Sequence, residues 1–519
     1  MNTNYKERKT ISGKDKEAFD EFLAGKERWN AYVEKHGDDT TVDFSGVDFS
    51  KHRKGKGEFN FSGYLFPKKG NVNFKGVKFG DGNVNFTSAN FGQGVSFMEA
   101  KFGKGNVNFS SAQLGTHLGE FKSTIFGEGE VNFNSATFGA GDTDFCDAQF
   151  GEGNVDFCNV NFGDGNVYFF KAKFLGKGSV NFFNAKFLGN ERVNFFKAKF
   201  LGKGSVSFNE AEFGECSVEF NSVQFGDGDI SFFNTKFGKG AVKFNRAQFG
   251  DGDVEFSHAK FGNGDLEFKR AKFGNGTLNF EHCEFKGYVS FQSMTDTKTL
   301  SKFSLRHSSF DKSLDISDNT FNCIPDLTNT KLTNQVSLDR MEISDNYPLN
   351  GDFDKSDGER LCRLKELAEA NKSYQQALDL HVIEMQANRE RLPSEFYKKL
   401  DYAFYKIAIY GQSITLPLKY LGYLTLLFTY IYASMSIVQH TPGHWFDWID
   451  RFFIGLLYSL SQVFPFVSAG RNSAADSLNQ LFPCETIPDG FYFFSIFQGV
   501  LSFIFLFLIG LGFRNRFRR

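Results

Sequence analysis

The sequence predicts a long β-solenoid, then α-helices, then a short α-helical membrane domain. Three observations carry that expectation. One phrase, V-x-F-x-x-A-x-F-G-x-G, recurs from Val72 to Phe291, as in VNFTSANFGQG and VEFSHAKFGNG. Phe and Gly, at 69 and 53 of 519 residues, are far above their ordinary share, while Pro is only 9, a bias that marks a repeat. Two uncharged apolar stretches, Tyr420–Val438 and Gly490–Phe513, lie near the end and are each long enough to cross a bilayer.

The first Phe of the phrase steps from Phe74 to Phe291 nearly always by twelve residues, and by thirteen between Phe169 and Phe208. A second Phe follows the first eighteen of these by five residues, with Leu114 the one substitute. In V-x-F the two apolar residues lie two apart and share one face of a short strand. A-x-F repeats the arrangement on the next side. F-G-x-G then reads as a corner at which positive φ is needed. Stacking such coils buries ladders of Phe that no single repeat could bury. Two coil lengths fit, twelve or twenty-four residues. The longer gives about nine coils and about 43 Å between Val72 and Phe291, at about 4.8 Å per strand.

The phrase resembles that of the pentapeptide-repeat family, A-(D/N)-(L/F)-x-x, over roughly residues 41–332, including VDFSGVDFS at Val42–Ser50. The resemblance implies a right-handed quadrilateral β-helix with four pentads per coil, widened here by about two residues at every second corner. The solenoid is assigned to 41–343. Residues 1–40 precede it as a cap, since Phe19, Phe22, Leu23, Trp29 and Tyr32 have helical spacing within one helix over Ser12–His36. A polar linker, 344–358, follows. The N-terminus has no apolar run, so no cleavable signal peptide is expected.

Several chemistries are disfavoured. GDGDISF and GDGDVEF look like calcium loops, but their second Asp is replaced by Asn83, Ser179, Ala241 and Thr277 in equivalent corners. GKGS at Gly176 and Gly202 lacks phosphate-loop spacing. Some pentapeptide-repeat proteins mimic duplex DNA with an acidic surface; here Val72–Met294 holds 25 Asp plus Glu against 22 Lys plus Arg. A formal charge of -2 for the chain also argues against nucleic acid as a partner. No metal, cofactor or catalytic constellation is expected, and the chain reads as no enzyme. The seven cysteines are scattered without a C-x-x-C pair and read as free thiols. One apolar surface stands out. Phe170, Phe183, Phe196 and Phe233 directly follow an inward Phe, and Leu175, Leu188 and Leu201 join the thirteen-residue repeats. They are candidates for contact with a protein partner or a second copy, or for burial in the wider corners.

Beyond the linker, 359–392 reads as a helical connector free of Gly and Pro; 394–411 reads as an amphipathic basic helix at the membrane surface. Spans are expected at 416–438 and 490–513. Lys398, Lys399, Lys406 and Lys419 precede the first, and Arg514, Arg516, Arg518 and Arg519 follow the second. Both outer ends, and with them the solenoid, therefore belong in the cytoplasm of a multi-pass membrane protein. The chain also resembles bacterial pentapeptide-repeat membrane proteins with a channel-like C-terminus, which implies a bacterial inner membrane. Between the spans, 449–469 reads as a short helix ended by Pro465 and an irregular return. Such backbone must be covered by protein or line water. Trp445 and Trp448 read as interfacial anchors. The order of span, short helix, return and span resembles the two-span pore domain of the tetrameric ion-channel superfamily. The potassium filter T-V-G-Y-G is absent, with QVFPFVSAG in its place, and no acid lies in the return. The resemblance makes Ser459, Ser461 and Gln462 candidates for pore lining or helix bracing, and Phe464, Pro465 and Phe466 for a constriction. The expected function is a homo-oligomeric channel, most simply a tetramer, with the solenoid as scaffold, sensor or partner-binding domain. The alternative is a membrane-anchored scaffold without conduction.

Overall fold

A computed structural model describes residues 14–53, 57–190, 192–344, 347, 353–439, 445–464, 468–483 and 487–517. The chain divides into two compact units, residues 1–363 and 364–519.

The first unit is a β-solenoid of about twelve turns built from parallel two- and three-residue strands. Val131 pairs with Val107 on one side and Val155 on the other, so one coil is 24 residues and the twelve-residue alternative is excluded. Where thirteen-residue repeats occur the coil lengthens, Val155 pairing with Val180 and Val180 with Val206. Each coil has four sides, and each side contributes one Phe to an interior ladder. Phe145 stacks on Phe169 at 4.9 Å, Phe150 on Phe174 at 4.6 Å, Phe157 on Phe182 at 4.9 Å and Phe162 on Phe187 at 4.6 Å. Across the coil the rings meet edge to face, Phe145 and Phe157 at 5.6 Å and 83°. Both are favourable aromatic geometries, so the spacing of the repeat satisfies ring packing in two directions at once.

Most of the glycine corners depart from the expectation of positive φ. Gly127 and Gly202 do not have positive φ; a Cβ on them would lie 1.6 Å from the Gly103 oxygen and 1.7 Å from the Gly176 oxygen. Glycine is required because successive corners stack backbone on backbone. Positive φ is kept at a minority of the corner glycines, such as Gly92 (59°) and Gly163 (67°), and recurs at the other two corners, at Ser111 (55°), Lys171 (55°) and Arg246 (57°) among others. Left-handed backbone costs a non-glycine residue about 1–2 kcal/mol. Hydrogen bonds offset it: the Ser111 amide donates to Asn134 O in the next coil at 2.8 Å. The Asn of V-N-F braces the same turn, Asn108 Oδ1 accepting from the Ser110 amide at 2.8 Å.

Two helices, not one, close the N-terminal end: α1 (Lys14–Ala24) and α2 (Lys26–His36), broken at Gly25 with φ 114°. Phe22 stacks on Phe61 at 4.4 Å, and Trp29 Nε1 donates to Leu65 O at 2.9 Å, so the cap continues the aromatic core. At the far end the start of α3 (Asp357–Ala370) is fixed by Arg360, which pairs with Asp326 at 3.2 Å and Asp357 at 3.0 Å.

The second unit is helical: α4 (Tyr374–Asn388), α5 (Glu395–Ala408), α6 (Thr415–Gln439), α7 (Trp445–Val463), α8 (Ser468–Leu481) and α9 (Phe491–Arg516). Only α6 and α9 are, among the described residues, long and apolar enough to cross a membrane by length and composition. Outside them, α5 exposes Phe396, Tyr397, Leu400 and Tyr402. In the connector, burial raises the Glu384 carboxyl, but bonds from His381 at 3.2 Å and Lys365 at 2.6 Å more than offset this and bring it down to about 2.

Candidate functional site

Inside the helical unit, polar side chains sit where helices touch. α7 runs antiparallel to α6: Arg451 meets Ser436, and Ser459 meets Thr425. Gly455 lets the two helices approach, since a Cβ there would lie 3.0 Å from Thr429 O. Ser459 Oγ donates to Thr425 O at 2.8 Å. Gln498 of α9 donates to Ser459 Oγ at 2.7 Å and to its carbonyl at 3.0 Å, and accepts from the Tyr432 hydroxyl at 2.9 Å. Ser495 donates to Gln462 Oε1 at 3.1 Å, and Ser461 donates to the Tyr458 carbonyl at 2.6 Å. Away from water each such group needs a partner, and this network supplies one to every polar residue of α7 that the sequence singled out.

The sequence leads one to expect an irregular return after α7. The start of that return, 465–467, lies outside the described residues, and from Ser468 the chain is helical. α8 runs back from Gly470, which abuts the Phe464 carbonyl, to Leu481, whose carbonyl accepts from Arg451 at 2.9 Å and from Ser436 at 2.8 Å. The start of α7 and the end of α8 thus converge on Ser436 of α6, and the pair forms a helical hairpin that enters and leaves at the same end. Arg451 fastens that end by donating to the Leu481 carbonyl at the C-terminus of α8. Beyond the segment expected as the return, α8 carries Arg471 and Asp476.

The outward faces of these helices differ in kind. α6 exposes Leu426, Leu427 and Tyr430; α7 exposes Phe453, Leu457 and Leu460; α9 exposes Phe493, Ile496, Phe503 and Phe507. α8 exposes Arg471, Asn472, Ala475, Asp476, Asn479 and Gln480, the i, i+1, i+4, i+5 positions of one polar stripe. Its inner side, Ala474 and Leu478, packs on the cluster of Phe428, Tyr432, Tyr458, Leu481, Phe482 and Phe491. The polar stripe is therefore level with the middle of α6.

The site residues expected from sequence fall as follows. Ser459 and Ser461 are buried and Gln462 is partly so, all three bracing helices. Phe464 is 48% exposed at the tip of the hairpin, and Trp448 is 46% exposed on α7. Pro465, Phe466 and the side chain of Trp445 lie outside the described residues. On the solenoid, Leu175, Leu188, Leu201, Phe183 and Phe233 are exposed and Phe170 and Phe196 are half-buried. They do not make one apolar patch. Phe170 and Phe196 follow first-side strands and stack at 5.9 Å, Phe183 and Phe233 follow third-side strands, and the leucines follow the second and fourth sides. Sequence reasoning missed Arg451, Gln498 and the whole stripe of α8. A lone amide in a span of 24 uncharged residues was a usable signal for Gln498.

The chain matches no protein-family model, no curated protein and no solved structure. What the fold itself defines is a Phe-rich β-solenoid, consistent with pentapeptide repeats, joined to a helical unit with two candidate membrane helices.

Proposed function

We propose that this is a pentapeptide-repeat membrane protein whose residues 364–519 form the subunit of a homo-oligomeric ion pore, most simply a tetramer. The polar stripe of α8 carries the reading. Charged and amide side chains level with the middle of a span are costly against lipid and face water or protein. Two spans and a hairpin cannot enclose a lumen in one subunit, so copies arranged about an axis give the stripe its water-filled space. The positive charges flanking α6 and α9 favour a cytoplasmic solenoid, and the resemblance to bacterial pentapeptide-repeat membrane proteins suggests a bacterial inner membrane. The solenoid acts as scaffold or sensor, biasing the pore through the connector. A junction suited to that coupling precedes α6, where Ile409, Tyr410 and Gly411 all have positive φ and Gly411 O accepts from Asn515 of α9 at 3.0 Å. The chain is no enzyme in this reading.

The test is unitary current from full-length protein in a planar bilayer, using Asn479→Cys and Ile496→Cys. A membrane-impermeant thiol reagent is expected to alter conductance in the first and leave the second unchanged. A conducting Asn479→Cys that ignores the reagent removes α8 from the pore. Silence from protein shown to be inserted and oligomeric reduces the chain to a membrane-anchored scaffold.

A further inference from the structure

The solenoid's four sides are not equivalent in charge. At the corner between the first and second sides, the positive-φ position is occupied in successive coils by Lys171, Lys197, Ser222, Arg246 and Arg270. The second side continues the pattern with lysines at 173 and 199, each next to a buried Phe and therefore pointing out. Over the six coils from Phe169 to Phe291 neither this corner nor the outward second-side position before each buried Phe contains an acid. The opposite corner and the fourth side of the same coils are mixed, with Glu210, Glu212, Glu281 and Glu284 among their lysines. A near-neutral solenoid thus concentrates its cations along one edge about 24 Å long, at about 4.8 Å per coil.

Two further features mark the edge as a binding site. It is concave: a cleft of about 580 Å³ runs along it, lined by Phe196, Ser222, Arg246, Lys269 and Arg270, with the amides of Asn221, Asn245 and Gln292 between them. Four of its cations are uncommitted, while Lys272 on the second side pairs with Asp296 at 3.0 Å. Lys173, Lys199, Arg246 and Arg270 make no ion pair among the described residues, whereas Lys260 on the fourth side pairs with Glu284 at 3.0 Å. The Arg246 and Arg270 guanidinium groups suit carboxylate recognition by paired donors, whereas the Asn245 and Gln292 amides already donate to Glu267 at 2.7 Å and Asp318 at 3.3 Å.

We infer that this edge binds an extended acidic peptide segment of a partner protein. The width of the edge favours a peptide over duplex nucleic acid. Glu219 and Glu267 project from the adjacent first side and would oppose the phosphates of anything much wider than one chain. Single-stranded nucleic acid lacks a stacking platform here. Phe170 and Phe196 stack on each other, and Lys171 and Lys197 lie over their rings at 4.9 and 5.1 Å. This inference is independent of whether the helical unit conducts.

Full-length protein in detergent, titrated with a fluorescein-labelled twelve-residue polyglutamate and separately with a twelve-nucleotide single strand, tests it. The peptide is expected to bind at about 50 mM salt and to be released as salt rises. Arg246→Asn with Arg270→Asn, which keeps residues tolerant of positive φ, should weaken it about fivefold, and the double Glu reversal about tenfold or more. Lys236→Asn with Lys260→Asn on the fourth side should change it less than about twofold. The inference is overturned by no peptide binding at low salt, by equal losses in the two Asn pairs, or by tighter binding of the oligonucleotide. If the Glu reversal unfolds, the Asn pair decides.

Discussion

The solenoid and the helical unit satisfy their buried groups by opposite means. In the solenoid each group meets its own kind one coil along: Phe195 stacks on Phe220 at 4.8 Å, and the Phe195 amide donates to Glu219 O at 2.7 Å. Between α6, α7 and α9 unlike groups meet once only, as with Tyr432, Gln498 and Ser459. A repeated contact makes stability a sum of equivalent neighbour terms, so the coil spacing is shared by every layer. A unique contact leaves the backbone spacing free but makes each side chain specific to its partner. The difference teaches where each unit is vulnerable: the solenoid in anything that changes its pitch, the helical unit in anything that orphans a polar atom.

Glycine breaks the comparison most sharply. Gly202→Ala places a Cβ 1.7 Å from Gly176 O, which the pitch cannot accommodate, and is expected to cost about 4 kcal/mol or more, seen as loss of the solenoid's cooperative thermal transition. In α9, a Cβ on Gly499 meets nothing within 4 Å, so Gly499→Ala should be neutral or gain about 1 kcal/mol from helix propensity. Equal effects at the two sites would contradict the distinction between stacked corners and free helix surface.

How much was legible follows the same division. The Phe spacing fixed the solenoid's existence because twenty or so copies of one signal leave little room for chance, and twenty-four residues was one of two coil lengths it allowed. Pairing of Val131 with Val155 decided between them, and that is a long-range fact no local pattern contains. The positive φ expected of the corner glycines holds at Gly92 and Gly163 among others but not at Gly127 or Gly202, because positive φ and close backbone approach leave the same residue in the sequence. In the helical unit, α6 and α9 were legible from length and composition. α8 was not: SAGRNSAADSLNQL has small and polar residues throughout, and only its packing against Phe428 and Tyr458 distinguishes a return helix from a loop. Ser459 and Gln462 were visible as anomalies in an apolar run, but their partners, Thr425 and Ser495, lie 34 and 33 residues away.

The unique contacts are sharpened by Gln498→Leu. It removes a donor and an acceptor together, leaving the Ser459 and Tyr432 hydroxyls without that partner, and is expected to cost about 1–3 kcal/mol. Combining it with Ser459→Ala should cost less than the sum of the two single changes, because the groups share one bond. Thermal unfolding in detergent measures all three variants. Simple additivity would show that the network contributes no coupling.

The smallest expected effect concerns a charged contact of the same one-off kind, outside the membrane helices. Glu384 is 8% exposed and sits against Lys365 and His381. Its folded pKa, about 2, lies below the ordinary Glu value of about 4.3. A carboxylate so depressed adds stability that is complete above the ordinary value and is lost as pH falls toward the folded one. Glu384→Gln should therefore be less stable than the parent at pH 6, by about 0.5–1 kcal/mol once solvent screening is allowed for. The gap should close between about pH 4.3 and about 2, as Glu384 takes up its proton and comes to resemble the amide. Urea unfolding of both proteins at pH 6, 4 and 2.5 measures the gap. A difference that stays constant across those pH values would mean that the variant acts through packing, and that the ion pair, unlike the stacked contacts of the solenoid, contributes nothing of its own.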